Sequence, residues 1–515
     1  MQFSLSPRLG PGLRPAIAMR RPARRAAAAT LCLATRAGAQ GYERIVEEYC
    51  HTAADWGPIP ERPDGAERLL QVQVFIRHGA RVQCMSDTCW PGDREGNFTC
   101  GLGKLENSVD RGSSPPLTQD FWTQYMPGRN AVSGNCQTGQ LVPEGLRMQV
   151  NNGRRLREAY AVREKLLPES LQDMDAEGMD ATFFLRSTDI PRTRQSGMAL
   201  FSGLYQDHRQ ARPPYLRLHT MDVTEENMFF NQKTCPALQL ARDNFYRTHP
   251  AAEALEGLCK ELGKSVDGSP ASRHECQGFL EHQVDCLMSR MCPTVPFHPR
   301  NATIPPKFLK DDAALLRRLW RTLDTTLFAY FHALRRPGIG PFVGEVLAAA
   351  SAAVEGRQEA RPFMLWSGHD DGPMEPLWAA FELREGPPYW PPFASMLVLE
   401  VWSSPSGPLV RWVSNGAVAG GGPRPWAEFA ARAEALVPTE AECQASLPEA
   451  PMMENNGRLA RVLAIIAPAL VGAALALLSV AACRRRPPGS FGGENIKKRC
   501  SSSGSSLLEN DSLGA

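Results

Sequence analysis

The chain has 515 residues, 43% apolar and 22% charged, with a formal net charge of +2. That is ordinary globular composition, long enough for one large domain with an insertion or for two domains. The near-neutral balance, with no basic face interleaved with aromatics, offers nothing for nucleic acid to bind. The 43 prolines and 43 glycines fall mostly between apolar runs and mark loops rather than disorder.

Residues 1–39 lack acidic side chains, are rich in Arg and Ala, and end in Ala37-Gly38-Ala39 after the apolar run Ala26–Ala34. The pattern predicts a secretory signal peptide cleaved before Gln40, with Met19 a more typical start and an organelle transit peptide the alternative. Gln71–Arg81 (QVQVFIRHGAR) then opens as a β-strand, Val72, Val74 and Ile76 alternating with Gln71, Gln73 and Phe75. It runs into Arg77-His78-Gly79-Ala80-Arg81. Arginines fork onto phosphate oxygens, and an imidazole held among them is placed to attack phosphorus; the plainer alternative is a solvated surface loop.

Val82–Gln137 reads as a disulfide-braced loop region beside this tip. Gly139–Tyr160 gives turn residues and then a helix, with Pro143 and Glu144 in its first turn. Ala181–Leu185 is a second apolar strand ending in Arg186-Ser187-Thr188-Asp189, followed by a helix over Ile190–Tyr205 that Ser187, Thr188 or Asp189 would cap. From about Arg209 to Thr303 the sequence reads as irregular. Asp311–Leu334 is a clear amphipathic helix stopped by Pro337-Gly338, and Phe342–Val354 is the next. Pro362–Ser367 is a third apolar strand, ending in Gly368-His369-Asp370, and Met396–Val401 with Leu409–Val413 alternate like a hairpin of outer strands.

Eleven of the fourteen cysteines lie between residues 40 and 458: Cys50, Cys84, Cys89, Cys100, Cys136, Cys235, Cys259, Cys276, Cys286, Cys292 and Cys443. Two clusters of this kind suggest disulfides in a secreted domain, and an odd number leaves at least one free or paired with another chain. The spacings match no zinc site, and no metal or cofactor is expected. Asn97 and Asn301 head glycosylation sequons. Val462–Cys483 has 22 residues without a charge, enough to span ~30 Å of hydrocarbon. The Arg484–Arg486 triplet that follows places residues 484–515 in the cytosol and residues 40–458 in the lumen or outside the cell, a single-pass type I arrangement.

Three apolar strands thus end in polar tips: Arg77-His78-Gly79-Ala80-Arg81, Arg186-Ser187-Thr188 and His369-Asp370. In open α/β sheets the ligand lies beyond the carboxyl ends of the strands, so neighbouring parallel strands would gather three arginines, two histidines and an aspartate in one pocket. That set suits phosphoryl transfer without a metal.

From Val72 to Cys443 the chain resembles the histidine acid phosphatases. RHGAR matches the family's RHGxRxP, and GQLVPEGLRMQ, FLRSTDIPRTRQSG, SGHD and the pair WPPFASMLVLEVW and LVRWVSNG follow in the family's order. The resemblance implies an α/β fold, a mixed central sheet flanked by helices as in phosphoglycerate mutase. A mostly helical cap would be inserted at about residues 207–355. It further implies His78 as the nucleophile, Asp370 as the proton donor, and Arg77, Arg81, Arg186 and His369 as the phosphate-binding set. Arg192 and Arg194, just beyond, are expected to pair with carboxylates. The substrate would be a phosphate monoester, and the long Cys-rich insertion leaves room for a narrower one such as a phosphosugar. Family members are often dimers, but no interface is legible here.

Two departures stand out. Gln83 replaces the family's proline, which loses a fixed φ, and Asp371 follows His369-Asp370 where threonine is usual. A second carboxylate would repel phosphate if it pointed inward, or raise the pKa of its neighbour. The type I layout with a short tail is that of lysosomal members; Golgi and cell surface are equally open. The alternative function is a family-derived ectodomain whose site has weakened and which binds a partner.

Overall fold

The computed structural model describes residues 56–84, 89–90, 100, 104–107, 120–123, 136–205, 216–291, 304–309, 313–384 and 390–444. The expected signal peptide, both glycosylation sequons, the apolar segment 462–483 and the tail lie outside them. Among the described residues no helix is long and apolar enough to cross a membrane.

Strand β1 (Arg68–Arg77) is the centre of the molecule. Val72, Val74, Phe75 and Ile76 have no exposed surface, so the strand is covered on both faces and its alternation of apolar side chains serves two cores. The hairpin of β2 (Lys104–Asn107) and β3 (Asp120–Thr123) follows, then β4 (Phe183–Ser187), β5 (Leu218–His219), β6 (Phe363–Gly368), β7 (Met396–Ser403), β8 (Leu409–Ser414) and β9 (Ala417–Pro425). The main sheet has seven strands in the order β5-β4-β6-β1-β7-β8-β9. β4, β6 and β1 are parallel neighbours, Ser187 level with Ser367 and Arg77 level with Gly368, so the three polar tips leave the same edge of the sheet. β7 runs antiparallel to β1 and lies inside the sheet rather than at its rim, which is why all but its last residue are buried.

Helices α1 (Pro143–Leu156) and α3 (Pro191–Leu204) pack together on one face, with the short α2 (Ala176–Thr182) between them in sequence. Their approach requires glycine: a Cβ on Gly153 would come within 1.9 Å of the Leu200 carbonyl oxygen, and one on Gly203 within 2.1 Å of that of Val150. A π-type turn, Arg157–Arg163, extends α1. The expected cap on α3 is absent: Pro191 occupies its first turn, no side chain caps it, and Thr188 has other partners.

The stretch that reads as irregular is instead three helices, α4 (Ala237–Thr248), α5 (Pro250–Leu262) and α6 (Pro270–Met291). Polar groups on α6, such as Gln277, Gln283 and Ser289, are themselves buried, so no clean apolar stripe betrays the helix. The long α7 (Ala314–Ala333) packs on α5 and α6 and also on α9 (Met374–Phe381), the helix that follows the His369-Asp370 tip. Between them α8 (Gly340–Glu355) contacts β1 and β7, and α10 (Trp426–Leu436) closes the same face. Thus the last helix of the stretch assigned to the cap lies on the sheet itself.

Four disulfides link described cysteines: Cys89–Cys286, Cys100–Cys136, Cys235–Cys443 and Cys259–Cys276. Cys84 is a free thiol.

Candidate active site

Backbone hydrogen bonds fix the first tip from every side. The N–H groups of Arg77 and His78 donate to Ser395 and Gly368, Ala394 N–H donates to the His78 carbonyl, and Gln149 Nε2 donates to that of Arg77 at 2.7 Å. Gly79 lies so close to the start of α1 that a Cβ there would sit 2.1 Å from the Gly145 carbonyl oxygen. Gln83, where the family has proline, is fully buried, and its carbonyl accepts from Gly139 N–H at 2.7 Å. A cross-strand contact therefore holds the loop where a proline ring would have stiffened it.

His78 has no exposed surface. Its Nδ1 lies 2.9 Å from the Gly79 carbonyl, which can only accept, so Nδ1 carries the proton and Nε2 presents its lone pair. Arg81 Nε is 3.5 Å from that atom. His369 stands edge-on to His78, ring centres 5.5 Å apart. Arg192 Nη2, a donor only, lies 3.4 Å from His369 Nδ1, which leaves the proton on Nε2 to be given to Thr188 Oγ1 at 3.0 Å. Thr188 passes its own proton to Thr193 Oγ1 at 2.8 Å, and Thr193 donates to the backbone carbonyls of Thr188 and Ile190. Burial, and then Arg192, Arg81 and Arg77, hold both imidazoles well below the usual histidine range. Both are neutral, as a nucleophile requires.

Arg77 Nη2 is 3.1 Å from Asp370 Oδ2, and the same oxygen accepts from Trp390 Nε1. The Phe393 ring lies 4.4 Å from the Arg77 guanidinium carbon and 5.8 Å from that of Arg81. Arg81 Nη1 meets Asp285 Oδ1 of α6 at 2.7 Å, and that partner holds the Asp285 carboxyl below the ordinary range against its burial. The carboxyl of Asp371, next to Asp370, is pushed up to about 6 by desolvation and then by the Asp370 charge.

The structure therefore brings Arg77, His78, Arg81, His369 and Asp370 together. It does not bring Arg186 to them. On β4 the side chains alternate, so Arg186 shares the face of Phe184 and lies over Trp366, 5.9 Å from its ring. Its guanidinium is taken by Glu226 at 2.5 Å, Glu345 at 2.7 Å and Asn227 at 2.8 Å. The third arginine beside the histidines is Arg192, in the first turn of α3 and 9% exposed. Arg194 does pair with a carboxylate, Asp189 at 3.1 Å, as expected; among the described residues Arg192 has no such ion pair. Strand parity held the missing signal: in Phe183-Phe184-Leu185-Arg186-Ser187, Arg186 falls with Phe184, while Ser187 and Thr188 lead to the α3 side.

Residues 68–292 match the family model of the histidine phosphatase superfamily, branch 2. Over 360 residues the chain is 29% identical to counting factor 60 of Dictyostelium discoideum, covering 67% of this chain and 79% of that one. It is 26% identical over 373 residues to human 2-phosphoxylose phosphatase 1, with 68% and 71% covered, and 25% identical over 348 residues to bovine lysophosphatidic acid phosphatase type 6, with 65% and 74% covered. Among solved structures, the Klebsiella phytase aligns over 74% of this chain and 98% of its own, at 14% identity and a TM-score of 0.46. With the RHGAR and SGHD tips joined on adjacent parallel strands, the chain is similar to the histidine phosphatases of branch 2 across residues 68–292, and the phosphatases among its relatives read it as a phosphoric monoester hydrolase.

Proposed function

We propose that this protein hydrolyses phosphate monoesters through a phosphohistidine at His78. The observation that carries the reading is the tautomer of His78: Nδ1–H is tied to the Gly79 carbonyl and Nε2 opens toward Arg81 and His369. Arg77, Arg81 and Arg192 take the non-bridging oxygens, and the bound dianion offsets the field that keeps His369 neutral, so His369 can donate to it. His78 Nε2 attacks phosphorus in line, the P–O bond to the leaving alcohol breaks, and the Asp370 proton passes to that oxygen. Arg77 and Trp390 both hold Oδ2, so Oδ1 is the oxygen that carries this proton. Water then attacks the phosphohistidine, returns a proton to Asp370 and releases inorganic phosphate.

A cavity of about 100 Å³ beside Arg192, lined by Gln137, Thr138, Gln140 and Gln195 among others, favours a leaving group rich in hydroxyls. A phosphosugar fits it, the class of substrate named for human 2-phosphoxylose phosphatase 1.

The disulfides favour an oxidising compartment, in keeping with a lumenal or extracellular domain within residues 40–458 and a membrane span at Val462–Cys483. The test is turnover of an aryl phosphate and of sugar phosphates by the full chain from pH 4 to 8, beside His78→Ala. Turnover that vanishes in the variant, with an acid-labile phosphoenzyme trapped only in the wild type, is expected. Equal rates for both proteins would remove His78 from the mechanism. Resistance to alkaline extraction from membranes is expected for the full chain and is lost on truncation after Gln444.

A further inference from the structure

Asp324 on α7 and Glu375 on α9 are brought together on one arginine, each carboxylate side chain 1% exposed. A single described guanidinium serves both: Arg384 Nη2 lies 3.4 Å from Asp324 Oδ1 and Nη1 lies 3.4 Å from Glu375 Oε1. The Arg384 carbon stacks over Phe328 at 5.0 Å and Trp378 at 5.4 Å, so the cluster is roofed by rings rather than water. The outer oxygens, Asp324 Oδ2 and Glu375 Oε2, are buried with no hydrogen-bond partner among the described residues. Two ionised carboxylates against one guanidinium would leave a net negative charge in an apolar contact, which costs several kcal/mol per ion. One proton on the pair removes that charge and gives an orphaned oxygen a hydrogen to donate.

The cluster is tied to the reacting tip in two ways. Glu375 opens α9, and its backbone N–H donates to the Asp370 carbonyl at 2.9 Å. One turn before Asp324, Trp320 packs on Trp390 with ring centres 6.4 Å apart, and Trp390 is the indole that donates to Asp370. A shift of α7 against α9 therefore reaches Asp370 through both neighbours.

We propose that Asp324 and Glu375 carry one proton between them in the working enzyme, and that this proton holds α7 against α9 and so positions Asp370. The catalytic part rests on the function proposed above; the structural part does not. Burial pushes Asp324 up to about 7 despite Arg384, and burial followed by Asp324 raises Glu375 well above its ordinary range. The charged groups facing the pair are Arg384 after α9 and Asp370 and Asp371 at the tip, the last two adding to the repulsion on Glu375. A pKa raised on folding means that the native state keeps a proton the unfolded chain has lost. The stability it contributes is complete below about pH 4 and drains away as pH climbs to about 7.

The experiment compares the full chain with Glu375→Gln and Asp324→Asn, reading thermal and urea unfolding and the pH profile of aryl phosphate turnover from pH 4 to 8. In either variant the remaining carboxylate pairs with Arg384 one to one and needs no proton. Relative to wild type, the unfolding constant should improve by about tenfold per pH unit above pH 4, approaching a thousandfold by pH 7. The alkaline limb of turnover should move to higher pH while turnover at pH 5 is kept. Variants whose stability and turnover follow the wild-type pH curves, or that are weakened equally at every pH, overturn the proposal. Should one variant fail to fold, the other gives the same reading. Wild type that turns over no phosphoester would sink the proposed function but leave the unfolding comparison intact.

Discussion

Truncating Arg192 to Ala should abolish most of the catalysis, although the arginine that heads the RSTD segment is Arg186. Arg192 is buried beside both histidines, with Nη2 3.4 Å from His369 Nδ1. Loss of one preorganised donor to the developing charge of a phosphoryl transition state costs about 10²–10³ in rate, or about 3–4 kcal/mol. A second effect accompanies it. Arg192 is the first of the charges that depress His78, so its loss lets the His78 pKa climb and carries the acid limb of kcat/KM to higher pH. Arg186→Ala behaves differently, because it leaves Glu226, 1% exposed, without its guanidinium; that costs about 3–5 kcal/mol of stability. The assay is kcat/KM for an aryl phosphate from pH 3.5 to 8, with thermal unfolding of each variant. The reasoning is refuted if Arg192→Ala keeps its rate within about threefold while a folded Arg186 variant loses two orders of magnitude.

Three further outcomes are expected. Gly145→Ala puts a Cβ 2.2 Å from the Ala80 carbonyl oxygen, so the RHGAR loop must move; stability should fall by about 1–3 kcal/mol and turnover with it, read by melting and rate on one preparation. Replacing both Cys89 and Cys286 by Ser opens a link across 197 residues between the loop after the first tip and α6, and should cost about 2–5 kcal/mol in urea unfolding under oxidising conditions. Glu281, which burial pushes up to about 7, weakens the fold as pH rises through the range from about 4 to 7; Glu281→Gln should therefore raise the melting temperature at pH 8 and leave it unchanged at pH 4.

The three tip strands were legible because each buries both faces and then stops abruptly in charge. β1, β4 and β6 lie within one or two residues of their sequence positions at their carboxyl ends, and α1, α3, α7 and α8 follow their apolar spacing. The family resemblance supplied the helical cap that periodicity missed. In α4–α6 the chain packs on several sides at once, and buried glutamines and disulfide cysteines replace a single apolar stripe. Arg192 is hard to single out for a related reason: the three arginines of one short segment, Arg186, Arg192 and Arg194, differ only in which face the local backbone turns toward the histidines. From the sequence, Asp371 is a carboxylate that would disturb its neighbour if it pointed inward. In the structure the carboxyl of Asp371 is itself pushed up to about 6, by desolvation and then by Asp370.

The Cys235–Cys443 bridge also decides how the protein would carry tension. It closes a covalent ring between cysteines 208 positions apart that contains β6 to β9 and the His369-Asp370 tip. A pull applied between Trp56 and Gln444 would cross from Cys235 to Cys443 through sulphur and bypass residues 287–442. β6 to β9 and the His369-Asp370 tip would stay slack, and the Cys89–Cys286 bridge would spare β4 as well, so β1 and residues 235–286 would take the strain. Reducing that one bond would turn the same pull into a force that peels β9 and then β8 from the sheet.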